Sequence, residues 1–243
     1  LYQHFGWHYP ETMYWGRVKV HEWGGFSTSQ MRKDIESGKF TGWSDPRLPT
    51  IAGLSGTGIQ AEALRNFWVE LGVTQKDISV PLSSLYSHNT KIIDDNAPRI
   101  SFIRDPVLLE ISGNAKSSVE IPTHPNFPAM GNRKISLKSQ QVLIESTDYV
   151  DNKLRLKEFA DFDISEKSAK FVSQERSDAR KIIHWASVDS SSNSTLKMVT
   201  DGEIIEIEGV LEHHNLSEGD IVQIERIGYG VIGEDNNIIF THD

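Results

Sequence analysis

F-S-T-S-Q-M-R-K-D-I-E-S-G-K-F-T-G-W-S-D-P-R-L-P-T, residues Phe26 to Thr50, is the stretch around which the chain is organised. It joins a small-polar loop, a short helix and a Pro-braced turn that carries Asp45 and Arg47. Met31 and Ile35 stand four residues apart on one helical face, and Gly38 closes the segment. Thr28 or Ser29 can cap the helix, with Ser27 just upstream. Backbone N–H groups and hydroxyls at such a helix start can also surround a phosphate, so a plain cap and an anion site are both open.

Upstream, Tyr14 to His21 alternates apolar and polar residues as a half-buried strand does, and Gly24-Gly25 releases the chain into the loop. Downstream, Thr50 follows Pro49 and can cap a brief helix. Ala61, Leu64, Phe67, Trp68 and Leu71 then form one apolar stripe of a helix that Gly72 stops. A further helix begins near Ser83, turns Leu85, Ile92 and Ile93 inward and ends before Pro98. From Arg99 the period changes to two. About a dozen short apolar segments, separated by turn signals such as Asp201-Gly202, predict antiparallel barrels, which remove exposed edges by closing. Asp189 to Thr195 reads as a Ser-rich loop. The fold class is therefore mainly β with a helical N-terminal part.

At 243 residues the chain is long enough for two ordinary domains. It has no cysteine, which excludes disulfides and thiolate metal sites and suits a reducing cytosol. No apolar run approaches the length of a membrane span. A net charge of −9 argues against a non-specific polyanion binder, though basic groups gathered on one face would still serve RNA. Leu1 is not an initiator Met and Leu1–Trp7 reads as mid-domain sequence, so a piece of a larger protein is expected. His213-His214 is read as no metal site, because adjacent strand residues face opposite ways. Trp185 is expected inside a barrel, and Asp94-Asp95 at the solvated end of a helix.

The order S-T-S-Q, G-x-x-G-W-S-D-P-R-L-P-T and G-I-Q-x-E-A-L-R-x-F-W-x-E-L-G-V resembles the glutamyl/glutaminyl branch of class I aminoacyl-tRNA synthetases, most of all archaeal-type glutamyl-tRNA synthetases. So do His124–Lys134 (H-P-N-F-P-A-M-G-N-R-K), Lys181–Trp185 (K-I-I-H-W) and Gly219–Gly230 (G-D-I-V-Q-I-E-R-I-G-Y-G). The resemblance implies the end of a nucleotide-binding catalytic domain over 1–30, a helical stem-contact domain over 31–97 and an anticodon-binding double β-barrel over 98–243. It implies a cytoplasmic ligase that uses ATP and Mg²⁺ to form glutamyl-adenylate from L-glutamate and passes the acyl group to glutamate tRNA. A glutaminyl-tRNA synthetase and a non-catalytic tRNA-binding module are the alternatives.

The first class I signature and the amino-acid pocket are not found in the sequence, so this piece is expected to be inactive alone. Arg17 and Val18 would line the adenine pocket, and Ser27, Thr28, Ser29 and Gln30 would form the second signature loop. Gln30 stands where the family usually has Lys, so a fixed positive charge is missing there. Ser55-Gly56-Thr57-Gly58 replaces a usual basic cluster. For tRNA, the resemblance assigns Arg99 to the first anticodon base, Arg155 to the third, and Gln223 with Arg226 to the middle uridine. Lys76 and Arg47 are further tRNA candidates. Without the motif, each strand arginine would read as a solvated surface charge.

Overall fold

The computed structural model describes residues 1–25, 27–150, 152–177 and 179–243. Phe26, which opens the signature stretch, lies outside the described residues. Helix α1 (Thr28–Glu36) is capped one residue earlier than its sequence suggests. Ser27 takes the extended cap conformation, and its Oγ accepts from the Gln30 N–H at 3.2 Å. Helix α2 (Ile51–Gly56) starts as expected, with Thr50 Oγ1 accepting from the Gly53 N–H at 2.9 Å.

Helices α3 (Ala61–Leu71) and α4 (Leu82–Ile93) pack through Phe67 and Leu85, with Ile59 beside them. The apolar stripe of α3 is only partly core. Ala63 and Phe67 are buried, whereas Ala61 is exposed and Trp68 is 49% exposed. Trp68 instead lines an open cleft of about 1310 Å³ with Trp15, Val18 and Ile51. The expected strand from Tyr14 to His21 shrinks to Val18–Val20, which pairs in parallel with Ile78–Val80; Tyr14 and Trp15 are exposed. Parallel pairing there needs the whole of the intervening helical stretch as its crossover.

Among the described residues, the rest is two seven-stranded sheets and one two-stranded hairpin. In the proximal sheet the order is Arg99–Ile100, Ile221–Ile224, Gly228–Ile232, Ile238–His242, Ser191–Thr200, Glu203–Glu212 and Phe102–Arg104. Its two outermost strands are consecutive in the chain, separated by Ser101 alone. The sheet therefore curls until its edges meet, and bonds from Glu212 N to Ser101 O (3.0 Å) and from Glu225 N to Ile100 O (2.9 Å) tie the seam. Phe102, Leu196, Val222 and Ile238 fill the interior.

The distal sheet closes by the same device. Its order is Lys181–Ile183, Lys153–Leu156, Ala160–Ser165, Ser168–Ser173, Pro106–Ser112, Gln141–Glu145 and Ala186–Ser187, so its edges are joined through His184 and Trp185. The hairpin of Ser118–Pro122 with Asn132–Ser136 covers this core with Val119, Ile121 and Ile135. Trp185 is fully inside, tilted against Phe159 with its indole N–H on the Lys157 carbonyl. The chain enters the distal barrel at Asp105 and returns after Ser187, so one barrel is inserted in the other.

The Ser-rich segment is not the loop its composition suggests. Ser191–Thr200 is a ten-residue strand paired along its length with Glu203–Glu212. Backbone pairing decides the matter there, because serine carries little apolar signal of its own. Lys153–Leu156 is a strand as well, with Leu154 and Leu156 inward.

Candidate nucleic-acid interface

Arg99 and Gln223 are partners in parallel register, and Tyr229 stands opposite Gln223 on the other side. Three residues far apart in sequence thus form one row across the proximal barrel. The row is tied to the end of α4 by Asp94. Tyr229 donates its hydroxyl to Asp94 Oδ1 at 2.5 Å, and Arg99 Nη2 donates to the same oxygen at 2.6 Å. Arg99 Nη1 donates to the carbonyls of Ala97 (2.8 Å) and Asp94 (3.1 Å). The Tyr229 hydroxyl and the Arg99 guanidinium hold the Asp94 carboxyl below its ordinary value against the opposing effect of burial. Burial and the bond to Asp94 push the Tyr229 phenol up to about 12, so it stays a donor. His124, buried, donates from Nε2 to the Asp94 carbonyl at 3.0 Å. Asp94 is therefore a structural hub, not the solvated helix end read from the sequence. The Gln223 side-chain amide, half-buried, has no partner among the described residues.

None of the three strand arginines is the free surface charge its type suggests. Arg99 is 6% exposed. Arg155 donates from Nη1 to Asp161 at 2.7 Å and from Nη2 to the Gln174 carbonyl at 3.3 Å. Arg226 sits in the turn between Ile221–Ile224 and Gly228–Ile232 with φ +65, a left-handed conformation rare for arginine. It reaches across to the distal barrel, where Nη1 and Nη2 bond the two oxygens of Asp148 at 2.5 and 3.2 Å. Asp148 is 1% exposed and also meets Lys181 Nζ at 3.1 Å. Burial alone would raise the Asp148 carboxyl, but Arg226 and Lys181 outweigh it and hold it low.

Further buried charge fills the space between the barrels. Arg104 grips Glu145 with Nε (2.7 Å) and Nη2 (3.2 Å). Arg133 stands between Glu212 and Glu225, 3.1 Å from each, and donates to the Arg99 carbonyl; Lys157 also meets Glu225 at 3.1 Å. Nothing in the sequence periodicity marks these partners, because an acid on the outer face of a barrel strand follows the alternation and reads as solvated, although neighbouring chain buries it here. Asp161 in A-D-F-D-I and Glu145 in Q-V-L-I-E are two examples.

Arg47 has a different neighbourhood from the other tRNA candidates. Its Nε and Nη2 bond the buried Asp45 carboxylate at 2.9 and 2.8 Å, and the guanidinium stacks 4.8 Å from the Phe40 ring centre. Asp45 also accepts from the Thr41 and Arg47 backbone amides, so the pair staples the Pro-braced turn. Although burial works against it, Arg47 and these amides hold the Asp45 carboxyl well below the usual carboxylate range. Lys76 is exposed on the segment between α3 and Ile78–Val80.

Arg17 and Val18 line the open cleft. Ser27 uses its hydroxyl as the cap of α1, Thr28 and Ser29 lie exposed in the first turn, and the Gln30 amide donates to Asp34 at 2.8 Å. Arg17 and Val18 thus stand on one wall of the cleft, and Thr28, Ser29 and Gln30 form the first turn of α1.

Residues 97–180 match the family of the class I (E and Q) tRNA synthetase anticodon-binding domain. Over its full length the chain is 41% identical to the glutamate–tRNA ligase of Methanosarcina mazei, covering 44% of that protein. It is 42% identical over 94% of its length to the enzyme of Methanosarcina acetivorans and 35% identical over its full length to that of Pyrococcus abyssi, covering 41% and 45% of them. The chain thus spans less than half the length of the curated relatives it matches. The similarity to these ligases runs throughout the chain, and the match to the anticodon-binding domain family falls on residues 97–180, which hold the distal barrel strands up to Ser168–Ser173.

Proposed function

We propose that this chain is the tRNA-reading part of a glutamate–tRNA ligase, with its barrels docking the anticodon of glutamate tRNA. The observation that carries the reading is the row of Arg99, Gln223 and Tyr229 on the anticodon-binding fold. In that row Arg99 and Tyr229, each 6% exposed, brace the strands through Asp94. Gln223 presents its amide on a rigid strand, which suits splayed, unstacked bases whose edges need partners of defined direction. Asp94 fixes the Arg99 guanidinium, and the unpartnered Gln223 amide offers both a donor and an acceptor for the Watson–Crick edge of uracil. Arg155 and Arg226 would contribute to the third and middle bases, and Lys76 would meet the inner corner of the tRNA. Arg47 contributes by bracing its turn.

In this reading residues 1–30 close the catalytic domain, 31–97 contact the acceptor stem and 98–243 read the anticodon. The parent enzyme would act in the cytoplasm on L-glutamate, ATP with Mg²⁺, and tRNA. ATP would supply the α-phosphate that the glutamate carboxylate attacks, the bond to the β-phosphate breaking so that pyrophosphate leaves. Arg17, Val18 and the first turn of α1 would hold part of its adenine and phosphates. Among the described residues no helix is long and apolar enough to cross a membrane.

The test is binding of the chain to glutamate tRNA at low and moderate salt, beside the same tRNA with its central anticodon U replaced by C. A net charge of −9 predicts weak affinity that falls steeply with salt. Selective loss on the U-to-C change is expected. Equal, salt-swept binding of both tRNAs would reduce the barrels to a generic electrostatic contact.

A further inference from the structure

Arginine has five N–H donors, arranged as two bidentate edges: an end-on edge of Nη1 with Nη2 and a side-on edge of Nε with Nη2. In Arg226 the end-on edge is spent on Asp148. The second Nη1 proton goes to His184 Nδ1 at 3.2 Å, and His184 in turn donates from Nε2 to the Phe102 carbonyl at 3.2 Å. His184 is 1% exposed, so both of its nitrogens are committed inside the protein. The remaining donors of Arg226 are Nε–H and one Nη2–H, which together are the whole side-on fork. Neither has a protein acceptor among the described residues, and the side chain is 41% exposed.

The anchor comes from the other barrel. Asp148 ends the turn Ser146–Asp148 that follows the distal strand Gln141–Glu145, and Lys181 supports it from the distal edge. A buried carboxylate grips one edge of the guanidinium while the opposite edge is left toward solvent, on a residue whose backbone is itself held at φ +65. Strained backbone persists where its surroundings over-determine it, and such positions gather at functional sites.

We propose that Asp148 is a positioning residue for base reading: by taking the end-on edge of Arg226 it presents the side-on fork, a donor-only surface, to the central anticodon base. This rests on the anticodon reading given above. A donor-only fork donates to O4 of uracil and opposes the 4-amino group of cytosine, which offers donors in the same place. Asp148 touches no base and acts through Arg226, fixing the fork before the tRNA arrives so that less ordering is needed on binding.

The experiment measures the ratio of affinities for glutamate tRNA with its central U and with C there. Wild type, Asp148→Asn, Arg226→Gln and the double variant are compared at one salt concentration, with thermal unfolding of each. Wild type should favour U by about tenfold or more. Asp148→Asn should bring the ratio close to one, and in the Arg226→Gln background it should change the ratio no further. Asp148→Glu keeps the charge beside Lys181 but moves the carboxylate by one methylene, so it should stay folded and also lose the preference. A folded Asp148→Asn or Asp148→Glu with the wild-type ratio overturns the inference, as does an Asp148→Asn effect of equal size without Arg226. A wild-type ratio near one overturns the anticodon reading itself and this inference with it.

Discussion

Asn89 on α4 and His242 on the last strand of the proximal barrel are joined by a 3.1 Å hydrogen bond whose direction the surroundings fix. Asn89 Oδ1 accepts from the Gln60 N–H at 2.8 Å and Nδ2 donates to the Gly58 carbonyl at 3.3 Å, so the amide cannot turn over. Its Nδ2 therefore donates to His242 Nε2, and His242 Nδ1 donates to the Asp243 carbonyl at 3.0 Å. The imidazole is neutral and stacks on Tyr86 at 4.7 Å. This bond and the ring stack tie the helical part to the barrel, while the two bonds of Asn89 to Gln60 and Gly58 hold its amide in place.

Acid should loosen this joint. Burial lowers the His242 pKa from 6.5, so below pH 6.5 the unfolded chain takes a proton that the folded one refuses. Its contribution to stability is full above pH 6.5 and is lost as pH falls through the folded value. The fall in Tm between pH 7.5 and 5.5 should be smaller in His242→Gln than in wild type; equal falls would refute the neutral joint. Asn89→Ala should cost about 1–3 kcal/mol in urea unfolding, since it leaves the half-buried Gln60 N–H without its acceptor and takes one of two donors from the Gly58 carbonyl.

Glu212 has the opposite sign. It is 2% exposed, and burial pushes its carboxyl up to about 7 despite the Arg133 charge that it shares with Glu225. Between about pH 4.5 and 7 the folded state holds a proton that the unfolded state has released, so stability falls as pH rises through that window. Glu212→Gln removes this effect. Its stability relative to wild type should rise from pH 5 to pH 8 by up to about 3 kcal/mol, read from denaturant midpoints at each pH. A constant difference would show that Glu212 is ionised throughout.

Arg47→Ala should act on stability more than on tRNA affinity. The substitution leaves the Asp45 carboxylate buried without its cation, a loss of about 3–5 kcal/mol. Arg47→Lys should recover part of it, because a point charge replaces a bidentate fork. A tRNA affinity that falls while Tm is unchanged would instead place Arg47 at the RNA.

Gly58 sits at φ +91, and a Cβ there would lie 2.7 Å from Val231 Cγ2 and 2.9 Å from Thr241 Oγ1. Gly58→Ala should therefore push the helical part off the barrel, costing about 1–3 kcal/mol and lowering Tm. An unchanged Tm would mean that the contact is slack.

The amino-acid sequence alone determined the order of parts, most of the strands and the synthetase resemblance. Those depend on local signals: period-two alternation from Arg99, the Thr50 cap, and motifs such as Gly219–Gly230. Tertiary structure decided what the charged residues do. Arg99, Arg155 and Arg226 look alike in sequence, yet each is set by a carboxylate that closure or barrel packing brings to it: Asp94, Asp161 and Asp148. It also decided that Ser191–Thr200 is a strand and that Trp68 faces an open cleft. A strand needs only a ladder partner, and burial depends on what lies opposite a side chain, so neither is written in the local pattern. The same physics separates Asp148 from Arg226 by 78 positions in the chain and joins them across two barrels.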